Sequence, residues 1–154
     1  MTDADLVIRP ATAADLPEVL RLYAQPELDN GAMLPLDAAE RQFARMQSYP
    51  DYTLYVAERE GRIVGTYALL IMDTICHLGA PAGVIEDVGV DPAQHGQGIG
   101  QAMMRHAIAT CRDKGCYKVA LSSNLSRQRA HAFYEQLGFE KHGYSFRVQF
   151  DQAG

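Results

Sequence analysis

The stretch from Val84 to Lys114 constrains the fold more than any other part of the chain, because its hydrophobic period changes midway, across a glycine turn. Val84, Ile85, Val88 and Val90 form an apolar run that reads as a buried strand. Asp91-Pro92 stops it, and Gly96, Gly98 and Gly100 lead into a helical pattern lasting to Lys114. Strand, glycine turn and helix in that order make an anion site. The first N–H groups of a helix have no intrahelical partner, and the helix dipole places about half a positive charge at the same end. Alternate glycines remove the Cβ atoms that would hold a phosphate oxygen away from those groups.

Two common phosphate loops do not fit these letters. A Walker A loop needs Gly-Lys followed by Ser or Thr, and Gly100 is followed by Gln101 and Ala102. A dinucleotide fingerprint would place glycine at 101 or 103, where Gln101 and Met103 stand. His95-Gly96-Gln97-Gly98-Ile99-Gly100, after Val88-Gly89-Val90-Asp91-Pro92, instead resembles the acyl-CoA motif of the GNAT superfamily of N-acetyltransferases, written R/Q-x-x-G-x-G/A. His95 takes the usual Arg or Gln place, so the contacts the resemblance implies there are those of backbone N–H groups.

The rest of the chain supplies the elements around this unit. Leu6 to Arg9 is a strand closed by Pro10; Thr12 caps a first helix with Asp15 at the capping-box position, and Asp37 caps a second. From Thr53 the period is two, and Glu60-Gly61-Arg62 turns the chain into a second strand, Ile63 to Met72. Gly83 to Val90 follows as a third antiparallel strand. The long helix is read as Gly98 to Lys114, stopped by Gly115; Tyr117 to Leu121 is a parallel strand, Ser126 to Leu137 a last helix ended by Gly138. Phe139 and the alternation of Tyr144, Phe146, Val148 and Phe150 give terminal strands. The expectation is one α+β (α/β) domain over residues 1–154. It is similar to the GNAT fold: a mixed, mostly antiparallel sheet of six to seven strands with about four helices on both faces.

A second landmark strengthens the resemblance. Ala130 to Phe139 is similar to the A-x-x-x-Y-x-x-x-G-F segment of the same superfamily, in which the tyrosine lies beside the coenzyme's sulfur. Acetyl transfer from a thioester to an amine requires an unprotonated amine, stabilisation of the tetrahedral oxyanion and a proton for the departing thiolate. Tyr134 is the candidate acid, since a phenol with pKa about 10 is matched to an alkyl thiol. Its alternative role is core packing beside Phe133. Glu86, a carboxylate in an apolar strand, is the candidate base, and period two places it on one face with Val88 and Val90, Asp87 opposite. Gly89 inside the strand signals a bulge that would splay it from its neighbour and free backbone groups at Val88, Gly89 and Val90 for the coenzyme. With His95, Gly96, Gln97, Gly98, Ile99, Gly100, Gln101 and Asn124, these complete the implied acetyl-CoA site. Arg127 stands where many members carry Asn; it either meets a coenzyme phosphate or is a solvated helix-start residue.

Composition excludes other classes. Net charge is −5 with scattered signs, which disfavours nucleic acid and suits a cationic amine. No stretch approaches the roughly 18 apolar residues of a membrane span. Cys76, Cys111 and Cys116 have no C-x-x-C spacing and fit a reduced cytoplasmic setting, and the five histidines form no ligand pair, so no metal is expected. The resemblance implies a small-molecule (or peptide) amine as the acceptor. The glucosamine-6-phosphate branch of the superfamily is similar over G-C-Y-K-V and G-V-I-E-D-V, but carries an acidic residue where this chain has Ser122. A non-catalytic acyl-CoA sensor is the alternative class; the presence of both Glu86 and Tyr134 favours an enzyme. Family behaviour adds a homodimer through the terminal strands.

Overall fold

Alternation from Tyr52 onward produces the expected hairpin in the computed structural model, which describes residues 5–123 and 127–151. Strand β1 is Leu6–Pro10, β2 Tyr52–Arg59, β3 Arg62–Met72, β4 Ala82–Val90 and β5 Lys118–Ala120. They form one sheet in the order β1-β2-β3-β4-β5, antiparallel throughout except for the parallel β4–β5 pair. Helices α1 (Leu16–Tyr23), α2 (Leu36–Gln47), α3 (Ile99–Asp113) and α4 (Gln128–Gln136) complete the order. The chain divides into two compact units, residues 1–121 and 122–154, so the sheet and α1 to α3 belong to the first and α4 to the second.

Among the described residues the sheet has five strands, fewer than the six to seven expected. Residues 139–151 alternate as a strand should, yet join no ladder among the described residues. Alternation fixes which way side chains face, whereas a strand also needs a neighbour to take its N–H and C=O groups.

In the first unit, α1 and α2 cover one face of the sheet. Val19, Leu22, Phe43, Val56 and Ala68 are core members there, each large aliphatic side chain contributing about 1.5–3 kcal/mol on full burial. Helix α3 covers the other face and sits close because two sheet positions lack a side chain. A Cβ at Gly65 would come 2.9 Å from Ile99 Cγ2, and one at Gly83 would come 2.5 Å from Cys111 Sγ. Beside this contact the Tyr67 hydroxyl meets His106 Nδ1 at 2.7 Å, with Tyr55 stacked on Tyr67. Burial lowers the His106 pKa.

Thr12 and Asp15 form the expected capping box, but on a 3-10 turn, Ala13–Asp15, that leads into α1, whose own N-cap is Asp15. The Thr12 N–H donates to Asp15 Oδ2 at 2.8 Å, and Arg9 grips both Asp15 oxygens at 2.7 and 3.0 Å while its Nε reaches Glu58 at 2.9 Å. Arg9 is the main reason Asp15 titrates low, at about 2. A depressed carboxylate stabilises the fold above its ordinary pKa, and that stability is lost as pH falls through about 2. Asp15→Ala is expected to cost about 2–3 kcal/mol at pH 7. The deficit relative to the parent should shrink between pH 4 and 2, read by denaturant titration across pH. Asp37 does not cap α2: Pro35 is the N-cap and Asp37 lies in the first turn, paired with Arg41 at 3.3 Å. Proline's fixed φ suits the start of a helix well enough to move it two residues earlier.

Both α3 and α4 end in the same closure. Gly115 (φ +77°) follows α3, with Cys116 N–H donating to Cys111 O at 2.9 Å and Gly115 N–H to Arg112 O at 3.1 Å. Gly138 (φ +97°) follows α4, with Phe139 N–H donating to Tyr134 O and Gly138 N–H to Glu135 O, both at 3.1 Å. These are Schellman motifs, whose left-handed residue is nearly always glycine.

Candidate active site

The glycine turn is built in three steps. Asp91 ends β4 and accepts the Ala93 N–H at 3.0 Å, starting a short 3-10 turn over Pro92–Gln94. Gly96 and Gly98 then take left-handed conformations, φ +79° and +78°, and Gly98 is the N-cap of α3. No side chain caps that helix, and its first turn contains no acidic residue. The N–H groups of Ile99, Gly100 and Gln101 precede the first i→i−4 bond, from Ala102 N–H to Gly98 O at 3.0 Å. An uncapped helix end carrying partial positive charge fits a diphosphate. A Cβ added at Gly96 would meet nothing within 4 Å, so the approach is open. His95 is exposed beside the turn, and Ile99 points its side chain into the core, leaving only its backbone for a ligand.

The bulge in β4 exists, but one step away from where glycine placed it. Thr66 pairs with Gly89 and Ala68 with Glu86, so β4 carries one more residue than β3 across this interval. Asp87 takes up the extra length at φ +54°, a conformation that a non-glycine residue holds at a cost of about 1 kcal/mol or more. Gly89 meets a different demand: a Cβ there would lie 3.3 Å from Leu28 Cδ1. The extra residue corrects the expected facing. Glu86, opposite Ala68, lies on the α1 and α2 side, whereas Val90, opposite Gly65, lies on the α3 side. Asp87 is not turned away from Glu86, since both carboxylates raise the Tyr52 pKa and Asp87 also raises that of Tyr23.

Glu86 is pushed above the usual carboxylate range, first by burial and then by the Asp87 charge. Asp87 rises likewise, by burial and by Asp29. The group formed by Asp29, Glu86, Asp87, Tyr23 and Tyr52 was not legible in the sequence, because it draws on a loop, two helix and strand ends and a bulge. Nearby, β4 and β5 part. Their pairing runs only from Ala82↔Lys118 to Val84↔Ala120, so Ile85 to Val90 have no strand partner on that side among the described residues.

In the second unit, Tyr134 stands one turn from the end of α4, between the rings of Phe133 (5.4 Å) and Phe139 (5.8 Å). Burial raises its pKa, opposed by the Arg127 cation. Arg127 is the N-cap of α4 and accepts the His131 N–H at 3.1 Å on its carbonyl. Ser122 Oγ contacts Ser145 Oγ at 3.4 Å, and Ser123 Oγ is buried with no hydrogen-bond partner among the described residues. Asn124 lies outside the described residues. Among the described residues no three His, Cys, Asp or Glu side chains group as metal ligands, and no helix is long and apolar enough to cross a membrane.

Strand β4, next to the edge of a mixed sheet, leads through a glycine turn into an uncapped helix, the arrangement expected of an acyl-coenzyme A-dependent transferase. Residues 16–139 match the sequence profile of the Acetyltransferase (GNAT) family, and the chain belongs to that family; it is an N-acetyltransferase that uses acetyl-CoA. It is 35% identical to a glucosamine 6-phosphate N-acetyltransferase of Trypanosoma brucei brucei over 96% of this chain and 99% of that one. The crystal structure of glucosamine-6-phosphate N-acetyltransferase from Arabidopsis thaliana superposes with a TM-score of 0.84 at 27% identity, covering 95% of this chain and 99% of the other. A structure described as a transcriptional regulator from Bacillus halodurans superposes at 0.86 with 29% identity, covering 94% and 99%.

Proposed function

We propose that the chain moves an acetyl group from acetyl-CoA to a primary amine of a small molecule by direct attack, with Glu86 as the base and Tyr134 as the acid. The supporting observation is the carboxylate of Glu86 on a bulged strand that leads into the uncapped N-terminus of α3. The coenzyme supplies an activated thioester; the protein supplies grip, alignment and proton transfer. Backbone N–H groups of Ile99, Gly100 and Gln101 hold the diphosphate, and the β4 groups beyond Val84 that point away from β3 meet the amides of the pantetheine arm. Glu86, held above the usual carboxylate range, takes a proton from the acceptor ammonium directly or through water. Tyr134, protonated because burial raises its pKa, returns one to the departing thiolate.

The acceptor carries its amine as a cation. Asp29, Glu86 and Asp87 give the face beside Tyr23 and Tyr52 a negative field that attracts an ammonium. The relatives' names place amino sugars first on the acceptor panel. A reduced, cytoplasmic setting, in keeping with three unpaired cysteines, and a homodimer belong to the same reading, the latter on family resemblance alone.

Thiol release from acetyl-CoA, followed over amino sugars and their 6-phosphates, polyamines, aminoglycosides and peptide amines, tests this reading. Amine-dependent release is expected, and Tyr134→Phe should slow turnover roughly 10–100-fold with little change in coenzyme affinity. The regulator-like neighbour favours a second reading, a domain that binds acyl-CoA without turnover. Tight coenzyme binding with no release on any amine would select it.

A further inference from the structure

Among the described residues, a cation sits under the glycine turn without a counter-charge. Arg59, the last residue of β2, is 4% exposed, and its Nη1 donates to Gln97 Oε1 at 2.9 Å. Its Nε is buried with no hydrogen-bond partner, and no carboxylate pairs with it among the described residues. Of the other arginines near this end of the sheet, Arg9 holds Asp15 and Glu58, Arg21 holds Glu18 and Asp91, and Arg62, opposite Arg59 in the hairpin, is exposed to solvent. Leaving a guanidinium buried and unpaired costs several kcal/mol in a folded protein, so such a group is kept where something else needs its charge. Gln97 lies between the two left-handed glycines, one residue before the N-cap of α3.

We infer that Arg59 is a positioning residue for the coenzyme's diphosphate: it fixes Gln97 and thereby the turn, and its charge is compensated only when that anion is bound. This rests on the anion-site reading given above. One guanidinium N–H anchors the Gln97 side chain, which holds the peptide groups on either side of it, and the buried charge adds to the partial charge of the helix end. Low exposure leaves this charge poorly screened by salt.

The inference predicts opposite signs for stability and affinity, which a purely structural arginine would not give. Arg59→Met keeps much of the side-chain volume and removes the charge. The ligand-free Met variant should melt at or above the wild-type temperature, while its dissociation constant for coenzyme A, measured by calorimetry, rises at least tenfold. Arg59→Lys keeps the charge and loses the fork, and should bind within about threefold to fivefold of wild type. Inorganic diphosphate, used as a second probe, should follow the same ranking. Unchanged affinity in Arg59→Met, or equal weakening in folded Met and Lys variants, overturns the inference. So does a lowered melting temperature of the ligand-free Met variant when the Lys variant is also destabilised and binds normally. Failure of wild type to bind coenzyme A would instead remove the anion-site reading, so the two failures are separable.

Discussion

Replacement of Glu86 by glutamine is expected to reduce kcat/KM by roughly 10²–10³-fold at neutral pH, the range that general bases supply. The amide keeps the shape and removes the proton acceptor. In the parent, activity should rise with pH through the raised ionisation of Glu86, because only the carboxylate form accepts a proton. In Glu86→Gln that limb should move up towards the acceptor's own ionisation, about 10 for an alkylamine, so that much of the lost rate returns in alkaline buffer. Matching pH–rate profiles for the two proteins would exclude Glu86 as base. Stability should respond in the other direction. A carboxyl whose folded pKa lies above its unfolded value binds more protons in the folded state, so stability falls as pH rises from the ordinary carboxylate value through the raised one. Glu86→Gln should therefore be no less stable than the parent at pH 7, the pattern of a group kept for activity. Thermal melts at pH 4 and 7 measure this.

Gly98→Val should abolish coenzyme binding, with affinity falling at least about a hundredfold, or some 2.7 kcal/mol. Two effects act together. The left-handed conformation at φ +78° is costly for a β-branched residue by about 1–2 kcal/mol or more, so the turn must reorganise. The isopropyl group also sits where the first N–H groups of α3 face solvent, and an anion held by backbone amides has no side-chain substitute there. The turn is largely exposed, so the melting temperature should drop by only a few degrees while binding disappears. A coenzyme A titration that left affinity within threefold of the parent would show that the anion is held elsewhere.

Local chemistry made most of the fold readable. The Thr12–Asp15 box, the turn at Glu60-Gly61, the strand into Asp91-Pro92 and the glycines closing α3 and α4 each depend on residues a few positions apart, so the letters carry them. Asp37 misled because proline at 35 is also a legitimate helix opener, and both patterns are local. The terminal alternation from Tyr144 to Phe150 misled for a different reason: pairing is a property of two segments, and only one was visible. At the site, Glu86 and the turn were legible, whereas their surroundings were not. Arg59 lies 38 positions before Gln97, and nothing in either neighbourhood announces the contact. Asp87 was assigned to the wrong side because period two was carried through an interval where the strand has an extra residue.

That extra residue has a mechanical consequence. Glu86 and Val90 are separated by an even number of positions, which on a regular strand would commit both to the same surface of the sheet. The slip at Asp87 puts them out of phase, so Glu86 faces the phenols and carboxylates while Val90 faces the underside of the helix that carries the amide cradle. Deleting one residue at this point would bring the ladder back into step with both facings kept, and would cost the chain the left-handed turn at Asp87 that holds a second carboxylate beside Glu86.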